Sequence, residues 1–217
     1  MVNKLNNLSL QVSDIVIVPP SVKRQLQSWI TAVQGSWQPL DFSPRVRFTL
    51  FVDASLQGWG AVMVDMQTQE ISVLGERWQP NLQGKHINVL EAVALQKAVC
   101  LLPSGIRDCR LDIWVDNTTV QSVARKKMCG ADKDLNDAVV EAVNDLSQRR
   151  IATSIQWIST KYNPADLPSR VLVPLDQGNR DELVLAVWRF LTGAVGGGSV
   201  ASHPRPTNHL PLRASVS

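Results

Sequence analysis

The chain has 217 residues, 44% of them hydrophobic and 19% charged, which suits one globular domain with a sizeable core plus extensions. Its net charge of +3 permits acidic partners such as nucleic acid without demanding them. Three cysteines, Cys100, Cys109 and Cys129, show no CxxC spacing and read as buried thiols of a reducing compartment rather than a disulfide frame or zinc site. No apolar run approaches the roughly 18–20 residues of a membrane span. The opening stretch lacks the basic start and continuous apolar core of a signal peptide. The expectation is an intracellular protein, cytoplasmic or nuclear, with no membrane partner.

In chain order, Pro19-Pro20 closes an extended lead-in. Val22, Leu26, Trp29, Ile30 and Val33 then recur at helical spacing, with Ser21 placed to cap them. A loop with Trp37 and Phe42 follows. Residues 1–44 therefore read as an N-terminal extension whose one helix packs on a domain spanning 45–195. That domain opens with three strands, 46–53, 59–65 and 70–78, joined by the short polar turns SLQG and MQTQ as in an antiparallel meander. Residues 87–102 form a helix that is apolar almost all round and so expected to be buried. Residues 109–116 alternate like a strand, helices follow at about 117–127 and 132–149, and 153–159 is a fifth strand. NPADLPSR begins a short irregular or helical segment, and 180–193 is a last amphipathic helix. From Gly196 the sequence has no acidic residue and many Gly, Ser and Pro, so 196–217 reads as a flexible tail or linker.

A strand–helix–strand crossover places the strand ending at Asp116 parallel to the first strand and beside it. Asp53 and Asp116 both close their strands, so they meet at one carboxyl edge, where ligands of α/β sheets bind. Glu91 projects from the buried helix, and a buried carboxylate without a partner is costly. A cation shared with Asp53 and Asp116 removes that cost. Asp166 follows the fifth strand. Four carboxylates without histidine or thiolate suit hard cations, Mg²⁺ with Mn²⁺ as substitute. Two such ions are the standard apparatus for in-line displacement at a phosphodiester.

The blocks FVDASLQGWGAV (51–62), INVLEAVAL (87–95), IWVDNTTVQSV (113–123) and YNPADLPSR (162–170) together resemble the ribonuclease H domain of retroelement reverse transcriptases. The look is that of gypsy-type, DIRS-like and hepadnavirus-like polymerases, and it runs from about Arg45 to Arg170. The resemblance implies an RNase H-like α/β fold: a five-stranded mixed sheet, three meander strands plus two parallel ones, with helices on both faces. It implies that Asp53, Glu91, Asp116 and Asp166 are catalytic and hold two Mg²⁺ ions, Asp53 bridging both, Glu91 and Asp116 holding one and Asp166 completing the other. It further implies an RNA–DNA hybrid as substrate, touched by Ala54, Ser55, Asn88, Asn117 and Thr118, with 2′-hydroxyls sensed on one strand.

Three departures stand out. The loop before Asp166, STKYNPAD, lacks the mobile histidine of cellular relatives, leaving Lys161 or Tyr162 in its place. The basic helix-loop of some relatives is reduced to Arg125-Lys126-Lys127. No Asp-Asp polymerase motif is present, so the expected partner is a polymerase domain in a parent polyprotein, or the chain is a free-standing derivative. Two readings compete with an endonuclease: a non-catalytic RNase H-like scaffold within a larger polymerase or ribonucleoprotein, and a DNA transposase or junction nuclease on the same fold. Intact carboxylates oppose the first and NPADLPSR the second. Asp116-Asn117 also fits a helix cap. Trp59, Trp78, Trp114 and Trp157 read as packing, His86, His203 and His209 as surface residues. The glycines of GWG read as a turn beside the substrate.

Overall fold

The computed structural model describes residues 19–34, 46–126, 132–171, 173–193 and 212–214. The chain divides into two compact units, 1–42 and 43–217. In the first, α1 spans Pro20–Gln34. It starts one residue before the expected cap: Ser21 is already helical, and the Pro19 carbonyl accepts from the Lys23 amide at 3.0 Å. Pro20 suits the first helical position because its missing N–H has no intrahelical acceptor there. Trp37 and Phe42 lie outside the described residues.

The second unit is built on a mixed sheet. Strands β1 (Phe48–Ala54), β2 (Gly58–Asp65) and β3 (Ile71–Arg77) form the antiparallel meander. Strands β4 (Arg110–Val115) and β5 (Ala152–Trp157) add in parallel on the other side of β1, giving the order β5-β4-β1-β2-β3. A sixth strand, β6 (Leu212–Ala214), pairs parallel to β3 inside the stretch read as a flexible tail or linker. Helix α2 (Ile87–Cys100) makes the crossover from β3 to β4. Helices α3 (Thr118–Lys126) and α4 (Lys133–Gln148) connect β4 to β5, and α5 (Asp166–Arg170) and α6 (Gln177–Leu191) follow β5. The last helix starts three residues earlier than its apolar spacing shows, because Asp176 caps it through the Asn179 amide at 2.8 Å.

The two-residue period of the strands divides the core into two layers. Leu50 and Val52 of β1 pack with Leu90, Leu95, Val120, Leu135 and Val139 from α2, α3 and α4. Phe51, between them, faces Leu183 and Val187 of α6, with Phe190 edge-on at 4.8 Å. Helix α2 lies against the sheet and α4 at once, which is why it needs no polar face; Ala92, Ala94, Leu95 and Ala98 are all fully enclosed.

Gly58, read as the end of the SLQG turn, is the first residue of β2, and Gly60 lies in the strand as expected. Helix α5 crosses β2 and β3 so closely that a Cβ on Gly60 would sit 2.6 Å from the Pro168 carbonyl carbon, and one on Gly75 2.8 Å from the Pro168 oxygen. Glycine is required by that approach. Among the described residues no helix is long and apolar enough to cross a membrane.

Candidate metal centre

The parallel register of β1 and β4 pairs Val52 with Val115. Asp53 and Asp116 are the next residue of each strand, so they arrive level at the carboxyl edge and on the same side of the pleat. Glu91 comes from the first turns of α2. One carboxylate oxygen from each of Asp53, Glu91 and Asp116 lies within 4.8 Å of the others. Asp53 is 2% exposed and Glu91 5%, whereas Asp116 is half-buried.

The surroundings hold these acids in place. Asn163 Nδ2 donates to the Val52 carbonyl at 3.0 Å and lies 3.4 Å from Asp53 Oδ1. Asp53 Oδ2 is buried with no hydrogen-bond partner. Asp116 Oδ2 accepts from Thr160 Oγ1 at 2.6 Å, and the Asp116 carbonyl accepts from Trp157 Nε1 at 2.9 Å. Burial is the main cause that drives the Glu91 carboxyl up to about 9, with Asp53 and Asp116 pushing the same way and the Ala54 amide opposing. Burial likewise raises Asp53 to about 7; Ser169 opposes this, and Asp116 and Asp166 reinforce it.

Protonation relieves such crowding in one way, and a bound cation relieves it in another. All donors of the trio are carboxylate oxygens, and one of them is buried and orphaned. That donor set fits a hard divalent ion and disfavours a thiophilic one.

Asp166 stands outside the trio. It opens α5, and its Oδ1 accepts from Arg170 Nη2 at 2.7 Å and Arg170 Nε at 3.1 Å. Asn88 and Asn117 meet beside the acids, Asn117 Nδ2 donating to Asn88 Oδ1 at 2.9 Å. Asn117 is also the α3 cap, its Oδ1 accepting from the Thr119 and Val120 amides at 2.9 and 3.1 Å. Thr118 is exposed at the start of α3. Ala54 is a core residue whose amide faces Glu91. Ser55 has structural work: its hydroxyl donates to the Ser169 carbonyl at 2.7 Å and accepts from the Gln57 and Gly58 amides, both at 3.1 Å. The Ser55 hydroxyl is thereby engaged within the protein.

Thr160, Asn163 and Arg170 were not singled out from sequence. Asn163 had a readable signal, since an Asn before Pro favours a turn, and its Oδ1 indeed accepts from the Ala165 amide at 3.1 Å. Trp157, read as packing, is 48% exposed. Lys161 and Tyr162 are exposed after β5, the ammonium 5.4 Å from the ring centroid. Arg125 and Lys126 are exposed at the end of α3, while Lys127, Cys129, His203 and His209 lie outside the described residues.

Strand order, parallel half and two helical layers make this an α/β domain of RNase H-like fold, carrying a carboxylate trio at its carboxyl edge. No protein-family model matches the chain, and no curated protein matches it. Among solved structures, it is similar to the N-terminal RNase H domain of Rv2228c from Mycobacterium tuberculosis, solved as a fusion with maltose binding protein (17% identity, TM-score 0.45, covering 66% of this chain and 99% of that one). It is also similar to RNase H1 from the archaeon Halobacterium salinarum (19%, 0.41, 57% and 93%). A third is LC11-RNase H1, whose structure is a complex with an RNA/DNA hybrid (15%, 0.40, 56% and 91%). These TM-scores are below one half, and the fold assignment rests on the topology described above.

Proposed function

We propose that the chain is a metal-dependent endonuclease hydrolysing the RNA strand of RNA–DNA hybrids, and that it serves as the RNase H part of a retroelement reverse transcriptase with a polymerase domain as partner. The observation that carries this reading is the convergence of Asp53, Glu91 and Asp116 around an unpartnered, buried carboxylate oxygen. Asp53 would bridge two Mg²⁺ or Mn²⁺ ions, Glu91 and Asp116 would hold one, and Asp166 the other. When bound, such ions lower the pKa of water for attack on a phosphodiester and stabilise the leaving 3′ oxygen.

The chain's own residues set the stage. The Thr160 hydroxyl donates to Asp116 Oδ2 and restrains that carboxylate. Asn163 steadies Asp53 while tied to the strand backbone. Asn88, Asn117 and Thr118 would supply amides and a hydroxyl to the substrate, groups able to read 2′-hydroxyls.

The test is cleavage of labelled RNA–DNA hybrid, RNA duplex and DNA duplex, each with Mg²⁺ and with EDTA. Cleavage confined to the RNA of the hybrid and abolished by EDTA supports the proposal. Cleavage of DNA duplex, or binding without any cleavage, refutes it and favours the transposase or scaffold reading respectively.

A further inference from the structure

Arg170 is the one cation seen against the acids of this edge among the described residues. Both its Nε and Nη2 donate to the same oxygen, Asp166 Oδ1, at 3.1 and 2.7 Å. Asp166 is the strongest influence on the guanidinium, and the charges of Asp53 and Asp116 act on it too. The backbone beneath it has little freedom. The Ser55 hydroxyl ties the Ser169 carbonyl to the β1–β2 turn, Ser169 Oγ donates to the Asp166 carbonyl at 2.8 Å, and Gly60 and Gly75 seat Pro168 against the sheet. With α5 clamped, Asp166 can change partners only by rotating its side chain. The buried Asp53 Oδ2 meanwhile has no partner.

We infer that Arg170 is a positioning residue that gates the second cation: without nucleic acid it holds Asp166, and a phosphodiester draws the guanidinium away and frees the carboxylate for the ion. A guanidinium binds phosphate oxygens through paired N–H donors at least as well as it binds a carboxylate, so the exchange conserves charge-assisted hydrogen bonds. Occupancy of the second position is thereby coupled to the presence of substrate. The inference rests on the metal-centre reading above.

The ion pair is partly exposed, 57% for Arg170 and 32% for Asp166 at the side chain, so its hold on Asp166 is modest. Mn²⁺ is titrated into the full chain without nucleic acid, and free ion is counted by electron paramagnetic resonance. Arg170→Gln is expected to take its second ion about two- to fivefold more tightly than wild type, a range set by the small worth of a surface ion pair. Adding Asp166→Asn should cancel that gain. If no first ion binds to wild type, the metal-centre reading fails and the gate with it. If the first ion binds and Arg170→Gln leaves the second unchanged, the gate alone is overturned. A second arm measures binding of an all-DNA duplex in EDTA against salt. Arg170→Gln should lower the salt slope by about one released counterion. An unchanged slope overturns the phosphate half of the inference.

Discussion

The most direct consequence of the buried acids is that the metal-free protein should lose stability as pH rises, and that Glu91→Gln should remove the part of the loss that continues above pH 7. Burial beside Asp53 and Asp116 lifts Glu91 from 4.5 to about 9. The native state therefore binds this proton more tightly than the unfolded chain, and stability is greatest below pH 4.5, falling until about pH 9. At pH 7 the unfolded Glu91 is ionised while the native one is protonated. At about 1.4 kcal/mol per pH unit, that difference costs about 3 kcal/mol by pH 7. Asp53, raised from 3.8 to about 7, adds a slope of the same sign over its own narrower window. Gln has the shape of protonated Glu and no proton to lose. The assay is urea unfolding in EDTA at pH 5, 7 and 8.5, followed by circular dichroism. Wild type should weaken across the series, while Glu91→Gln should weaken only between pH 5 and 7, where Asp53 still titrates, hold level from pH 7 to 8.5, and exceed wild type by about 3 kcal/mol at pH 7. Excess Mg²⁺ should restore wild type at pH 7 and leave the variant unmoved, since a ligand stabilises only the state that binds it. Parallel loss of stability in both proteins would show that Glu91 does not sit in a crowded, dry acidic cluster.

Asp116→Asn should abolish hybrid cleavage and leave the melting temperature of the metal-free protein equal or higher, since it removes a repelling charge; joint loss of folding and activity would make the residue structural. Asp166→Asn keeps an oxygen ligand, so cleavage should fall severely in Mg²⁺ and recover in part in Mn²⁺; a wild-type rate in limiting Mg²⁺ would reduce the working site to Asp53, Glu91 and Asp116. Lys126→Glu, an exposed change at the end of α3, should flatten the salt dependence of hybrid binding by about one or two counterions without changing which strand is cut. An unaltered slope would place that end of α3 away from the substrate.

The trio was legible in sequence because each member is positioned by a strong local rule. Two apolar strands end in Asp, and a helical crossover between them forces parallel neighbours, so Asp53 and Asp116 meet wherever the register agrees. Glu91 stood out as a charge on a helix with no polar face. What escaped depended on partners far along the chain. Ser55 looks like a free hydroxyl after a catalytic Asp, and only its bond to Ser169, 114 residues away, shows that it is a staple. The reason Gly60 must be glycine shows only once α5, which it admits, is in place. Trp157 has the composition of a core residue, yet β5 is the outermost strand on its side of the sheet, and its ring is half in solvent.

The clamp on α5 also bears on the order in which the domain is completed. Asn163 and Ser169 reach Val52 and Ser55 across 111 and 114 residues. Contacts of such separation are closed late, since the entropy of the intervening loop must be spent before they return anything. During synthesis the meander, α2 and β4 can assemble while the ribosome still holds β5, so the acids can gather before Thr160 and Asn163 arrive to orient them. A nascent or truncated chain ending before residue 160 would present the acidic cluster without its hydrogen-bonding frame. The hydrogen-bonding frame around the acids is therefore completed late, by the segment that follows β5.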